Sequence, residues 1–132
     1  MKTLLLLFFV AISFDSYAQD KPKEAEREEG VDISPDYPGG MDAFYKYVRK
    51  NLAYPEEARK AKVEGKVFVE FVIDSTGSVK DETVQVLKGI GHGCDEEAVR
   101  LIKNSSGWVP GRISERNENA PVRMVLPIVF DR

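Results

Sequence analysis

A proline stands in the middle of a β-strand pattern at the C-terminal end of the chain. From Val122 to Phe130 every second side chain is apolar, which predicts a strand with one buried face. Pro127 lies inside this segment and has no N–H to donate to a neighbouring strand. Proline is therefore confined to edge strands, bulges or the first position of a strand. We predict that Val122–Phe130 forms the edge of a sheet, with its inner face made by Val122, Met124, Leu126, Ile128 and Phe130.

Two more strands are expected before this edge. Gly65–Ile73 alternates cleanly, with Val67, Val69, Phe71 and Ile73 on the predicted buried face. Asp74–Gly77 has the composition of a hairpin turn, because Asp bonds its own backbone and Gly accepts a positive φ. The segment Val79–Leu87 is then the predicted returning strand.

Helical periodicity predicts the remaining elements. An apolar stripe at spacings of three and four residues predicts a helix from about Met41 to Asn51. Pro55 suits the first position of a second, short helix, and Cys94–Lys103 is the third. The segment Gly107–Pro121 is expected to be a polar loop, with Trp108 capping the core beneath it.

The order of elements is therefore α-α-β-β-α-β. This order predicts the α+β class: a two-layer α/β sandwich in which helices cover one face of a three-stranded antiparallel sheet.

Composition excludes several functions. The chain of 132 residues has a formal net charge of −3, so it has no basic surplus to hold a nucleic-acid backbone. It contains one Cys and one His, too few for a structural zinc site and for an internal disulfide. We expect no metal and no cofactor.

The N-terminal residues 1–18 are predicted to be a secretory signal peptide. Lys2 precedes the apolar run LLLLFFVAISF, and Ser16 and Ala18 stand at the −3 and −1 positions of a cleavage site after Ala18. The alternative is an inner-membrane anchor that is not cleaved, but a spanning helix needs about 20 apolar residues. No Cys lies near the cleavage site, so no lipid anchor is indicated. We expect export to the periplasm, a charged flexible leader over residues 19–36 and a folded domain over residues 37–132.

An apolar edge strand can bind a partner by accepting its extended peptide as an additional strand. Pro127 and Arg123 also have a simpler interpretation, because proline and charge on an edge protect it from aggregation. The residues alone leave both interpretations open.

The chain from Tyr37 to Phe130 resembles the C-terminal domain of TonB-family energy transducers, in the form common among Bacteroidetes-type bacteria. No single motif is specific, but the ordered set is. The matching segments are Pro38-Gly39-Gly40, Tyr54-Pro55-Glu56-Glu57-Ala58, Gly65-Lys66-Val67, Asp74-Ser75-Thr76-Gly77-Ser78-Val79, Gly93-Cys94-Asp95-Glu96-Glu97-Ala98, Trp108-Val109-Pro110-Gly111 and Leu126-Pro127-Ile128-Val129-Phe130.

The resemblance implies a function without catalysis. Domains of this family capture the N-terminal Ton box of an outer-membrane receptor by strand addition, in support of TonB-dependent transmembrane transport. Carried over by position, the peptide-binding residues would be Leu52, Tyr54, Pro55, Arg123, Met124, Val125, Leu126, Pro127, Ile128 and Val129.

A complete transducer has an uncleaved membrane helix and a long spacer, whereas the leader here spans at most roughly 70 Å. A soluble partner, adaptor, competitor or decoy therefore fits better than a force-transmitting transducer.

Two alternatives use other features of the same sequence. A homodimer or an envelope-assembly module would pair copies through the same edge strand. A small periplasmic enzyme would use Cys94 at a helix N-terminus, where a thiolate is stabilised, with His92 beside it. Residues two apart in a glycine-rich loop seldom form such a pair, and no third orienting group is evident.

Overall fold

The computed structural model describes residues 29–132. The predicted signal peptide, residues 1–18, and most of the predicted leader lie outside these described residues. The helices and strands, in chain order, are α1 (Met41–Asn51), α2 (Glu56–Lys60), β1 (Gly65–Ile73), β2 (Gln85–Lys88), α3 (Cys94–Asn104), β3 (Gly111–Ile113), β4 (Glu118–Ala120) and β5 (Val122–Phe130).

The main sheet has three antiparallel strands in the order β2-β1-β5. Helical side chains pack on its inner face, so the predicted α+β class and the three-stranded antiparallel sheet are confirmed. The sheet and the helices share one hydrophobic core, whose members on the helices are Phe44, Val48, Ala58, Cys94, Ala98, Leu101 and Ile102.

The central strand β1 buries the side chains that its alternation predicts. Val67, Val69, Phe71 and Ile73 are all fully buried. Each pairs with an inner-face residue of β5, since paired residues of antiparallel strands lie on the same face. At the C-terminal end of β5, Ile128 and Phe130 are fully buried too, whereas Met124 and Leu126 are only partly covered.

The predicted returning strand over Val79–Leu87 is wrong in its extent. Val79 forms only an isolated bridge with Ile73, a short 3-10 turn follows, and β2 covers only Gln85–Lys88. The Thr83 hydroxyl explains the interruption, because it accepts the Val72 N–H at 2.9 Å and donates to the Lys80 carbonyl at 2.6 Å. A side chain here replaces a backbone partner of the ladder.

The predicted polar loop over Gly107–Pro121 is also wrong in part, because it contains the hairpin β3–β4. Asn117 adopts a left-handed conformation with φ of 53° at the turn of this hairpin, which Asn tolerates better than most residues. The prediction for Trp108 is confirmed. Its indole is 3% exposed, packs against Phe44 and Phe71, and donates Nε1–H to Ser105 Oγ at 3.1 Å.

Backbone hydrogen bonds tie the last residues of the predicted leader to this hairpin region. Asp36 and Val109 exchange two bonds of 3.0 and 2.7 Å, and Arg112 donates to the Ile33 carbonyl at 2.9 Å. The Asp32 carboxylate accepts the Ser114 N–H at 2.9 Å. Isolated backbone bridges to the rest of the domain therefore begin before Tyr37, where we expected the folded domain to start.

Candidate functional site

The hydrogen bonds that β1 makes on the side away from β5 show which way the backbone groups of β5 point. The Val72 N–H donates to Thr83 Oγ1, and the Val72 carbonyl accepts the Lys80 N–H at 3.0 Å. Both partners lie in the connection to β2, away from β5. Val72 stands opposite Arg123 in the ladder, so this pair exchanges no backbone hydrogen bonds. The N–H and carbonyl of Arg123 therefore face away from β1.

Backbone direction alternates along a strand, so the same holds for every second residue of β5. Val125, Pro127 and Val129 share the orientation of Arg123 and present their backbone groups to the open side. Pro127 fits this position, because the N–H that it lacks would have faced outward. The described chain thus offers three outward N–H groups, those of Arg123, Val125 and Val129, along an edge that no described strand covers.

The three other predicted edge residues have a different role. Met124, Leu126 and Ile128 direct their backbone groups to β1 and their side chains to the helices. They form the floor behind the edge, and their amides are already used in the ladder. The predicted edge residues 123–129 therefore alternate between residues whose N–H and carbonyl groups face the open side and residues whose N–H and carbonyl groups face β1.

The side chain of Arg123 crosses the outer face of the sheet. Its Nη1 donates to Glu70 Oε1 at 2.9 Å, and Gln85 Nε2 donates to the other oxygen of the same carboxylate at 2.7 Å. Glu70 is only 7% exposed, so this polar group joins all three strands on the face opposite the helices. The charge of Arg123 is therefore paired across the sheet with that of Glu70.

Of the predicted residues Leu52, Tyr54 and Pro55, Tyr54 lies at the C-terminal end of β5. The Tyr54 ring packs edge-on against Phe130, with ring centroids 5.9 Å apart, and its hydroxyl donates to the Val63 carbonyl. Burial raises the pKa of Tyr54. Leu52 packs against the core, and a Cβ on Gly93 would lie 3.1 Å from the Pro55 Cβ. The structure therefore brings Tyr54 to the end of the edge and holds it in place, but does not lay it along residues 123–129.

A groove of about 480 Å³ lies between α1 and the end of β5, and sequence reasoning missed it. Its lining residues are Asp42, Tyr45, Val48, Arg49, Val129 and Asp131. The α1 residues share one flank of the helix, at spacings of three, three and one. This spacing is the only signal in the sequence, and it does not show that the flank would face β5.

The structure contradicts the thiolate that the enzyme alternative requires at Cys94. Cys94 is fully buried in the core, although it begins α3. Burial raises the pKa of its thiol, and the carboxylates of Asp95 and Glu96 raise it further. A nucleophilic cysteine needs the opposite environment, electropositive and accessible. The pair of Cys94 and His92 therefore lacks the chemistry that the enzyme alternative requires.

Residues 29–132 contain no group of three His, Cys, Asp or Glu side chains placed to hold a metal ion. They also contain no helix long and apolar enough to cross a membrane.

Comparisons with known proteins agree with this architecture. The sequence profile of the family described as Gram-negative bacterial TonB protein C-terminal matches residues 50–131. The NMR solution structure of the Helicobacter pylori TonB-CTD superimposes with a TM-score of 0.51 at 22% identity, over 70% of this chain and 79% of that chain. This likeness shows the fold. A comparison with curated proteins gave no match.

Proposed function

Because the chain belongs to the Gram-negative bacterial TonB C-terminal family, we propose that it binds extended peptides of outer-membrane receptors by adding them to β5 as a strand. Domains of this family are periplasmic, non-enzymatic and related to TonB-dependent transport. The proposed ligand is the Ton-box segment of a receptor. One observation carries the proposal: the outward N–H groups of Arg123, Val125 and Val129 stand on an edge that no described strand occupies.

The chemistry of this edge suits capture of a peptide by its backbone. An added strand gains main-chain hydrogen bonds, which are independent of peptide sequence, and side-chain contacts, which are not. Pro127 removes one donor at the centre of the edge but leaves its carbonyl as an acceptor. The inward residues Met124, Leu126 and Ile128 support the strand from behind. We assign Leu52, Tyr54 and Pro55 to the end of the same binding surface, because Tyr54 packs on Phe130.

We further propose that the protein reaches the periplasm through cleavage after Ala18. The charged residues that follow would connect the new N-terminus to the domain. Mass spectrometry of the exported protein tests this step, since the mature chain would begin at Gln19.

The binding proposal is tested by NMR titration. Isotope-labelled residues 19–132 are titrated with peptides from the N-termini of the outer-membrane receptors of the same bacterium. Amide shifts concentrated in Arg123–Val129 and Leu52–Pro55 would support the proposal. A folded domain that shows no shift with any receptor peptide would contradict it.

Self-association through the same edge is the second candidate, because an unpaired strand accepts a second copy as readily as a peptide. Light scattering without any peptide separates the two. A dimer that dissociates when Val125 is replaced by proline would favour an assembly module. A monomer at the concentrations used for titration would remove this candidate.

A further inference from the structure

The groove between α1 and β5 adjoins the proposed binding edge. Val129 lines the groove and also presents its N–H and carbonyl to the open side of β5. A peptide added to this edge would therefore run beside α1. Every second side chain of such a peptide points to the helix layer, because side chains alternate between the faces of a sheet.

We propose that this groove is a side-chain subsite, which selects peptides with an apolar residue at a position facing α1. The inference rests on the proposed strand addition and adds its sequence preference. Main-chain bonds supply general affinity, and a pocket for alternate side chains supplies specificity. The volume of about 480 Å³ is within the range of roughly 300–1,000 Å³ that is typical of ligand sites.

The groove walls match an apolar side chain. Tyr45 and Val48 provide apolar side chains on the α1 wall, and Val129 lines the groove from β5. The Tyr45 ring packs edge-on against Phe44, with ring centroids 5.3 Å apart. Burial raises the pKa of Tyr45. The groove therefore offers a fixed apolar wall before any peptide binds.

The length of the groove along α1 sets how many peptide side chains it accepts. Asp42 and Arg49 line the groove from positions seven residues apart on α1, which corresponds to about 10 Å of helix. Side chains on one face of a strand repeat at about 7 Å. The groove therefore accepts one side chain fully, with a second at its end.

Charge at the rim disfavours an acidic residue at this position. Asp42 and Asp131 contribute two carboxylates against the single guanidinium of Arg49. Within residues 29–132, none of these three side chains belongs to an ion pair. An aspartate at the groove position would meet a net negative rim and lose solvation, whereas leucine would bury apolar surface.

Host–guest peptides test the subsite. The host is a blocked nine-residue oligothreonine, which is extended and polar, and its central residue is leucine, alanine or aspartate. The affinity of each peptide for residues 19–132 is measured by NMR titration. We expect leucine to bind about tenfold more tightly than alanine, the gain from burying about half of its additional surface, and aspartate to bind most weakly.

Variants inside and outside the groove test whether the preference for leucine over alanine arises there. Tyr45→Ala and Arg49→Ala each remove a wall of the groove and should reduce the leucine-to-alanine ratio from about tenfold to below about threefold. Lys50→Ala removes an exposed charge from the same helical turn outside the groove, and should leave the ratio unchanged. Arg49 is exposed, so its variant tests the groove even if Tyr45→Ala is destabilised.

The outcomes separate the subsite from strand addition. Equal affinities for all three guests, with shifts along Arg123–Val129, would overturn the subsite and leave the proposed function intact. A leucine preference that survives in both groove variants would also overturn it. If no guest peptide shifts the edge, the subsite is refuted, and strand addition is judged by the receptor peptides alone.

Discussion

Proline substitution at two neighbouring residues of β5 distinguishes its open side from its paired side. Val125 and Leu126 are adjacent and both partly exposed, but they face opposite directions. The Val125 N–H points to the open edge, whereas the Leu126 N–H points to β1. Val125→Pro should therefore leave the ladder intact, and Leu126→Pro should break it.

The expected difference in stability follows from this geometry. Proline in place of a ladder donor removes one hydrogen bond and leaves its buried acceptor on β1 unpaired, which costs up to about 3 kcal/mol. For a domain of this size, 3 kcal/mol lowers the melting temperature by about 12 °C. Val125→Pro loses no internal hydrogen bond, so we expect a decrease below about 4 °C. Leu126→Ala measures the contribution of the leucine side chain and is subtracted from the Leu126→Pro result.

Calorimetry of the three variants without a peptide provides the measurement. Peptide affinity is a second readout, because Val125→Pro removes one donor from the open edge. The net value of such a hydrogen bond is about 0.5–1.5 kcal/mol, which predicts a loss of about 2- to 12-fold in affinity. If Val125→Pro lowers the melting temperature as much as Leu126→Pro, the assigned direction of the backbone groups is wrong.

Three further predictions concern the core, a turn and pH. Cys94 is fully buried, so a thiol reagent at neutral pH should label it only after denaturation, and rapid labelling of the folded protein would contradict its burial. Gly77→Ala should destabilise far more than Gly91→Ala in chemical denaturation, because the new Cβ at position 77 would lie 2.0 Å from the Trp108 carbonyl oxygen, whereas nothing lies within 4 Å at position 91. The hydrogen bond from the Thr76 hydroxyl, together with those from turn N–H groups, lowers the pKa of Asp74 below its ordinary value of 3.8. The ionised Asp74 carboxylate therefore stabilises the fold above that value, and this contribution is lost as pH falls through the folded pKa. The difference in the free energy of unfolding between the protein and Asp74→Asn should shrink on acidification. A difference that stays constant would exclude this linkage.

Periodic elements and the edge could be predicted from the sequence because their signals are local. The alternation in Gly65–Ile73 reports burial directly, and all four predicted inner residues are fully buried. Pro127 marks an edge because of its missing N–H, and β5 is indeed at the end of the sheet order. The helices at Met41–Asn51 and Cys94–Asn104 follow from apolar spacing in the same way.

The features that were missed depend on contacts between distant segments. Asp36 pairs with Val109 through backbone groups, which leave no pattern in the side chains. The short β2 results from one hydroxyl, that of Thr83, which takes the place of a ladder partner. The groove forms only because one flank of α1 lies beside the end of β5, and the position of a helix on a sheet is not encoded in its own periodicity.

Hydrogen exchange at single amides of β5 tests strand addition most directly. The amides of Met124, Leu126 and Ile128 are bonded to β1 and should be protected in the free protein. Those of Val125 and Val129 should exchange quickly without a peptide and become protected when a receptor peptide saturates the domain. Continued rapid exchange of both amides in the saturated complex would show that the peptide binds elsewhere, and would contradict the account.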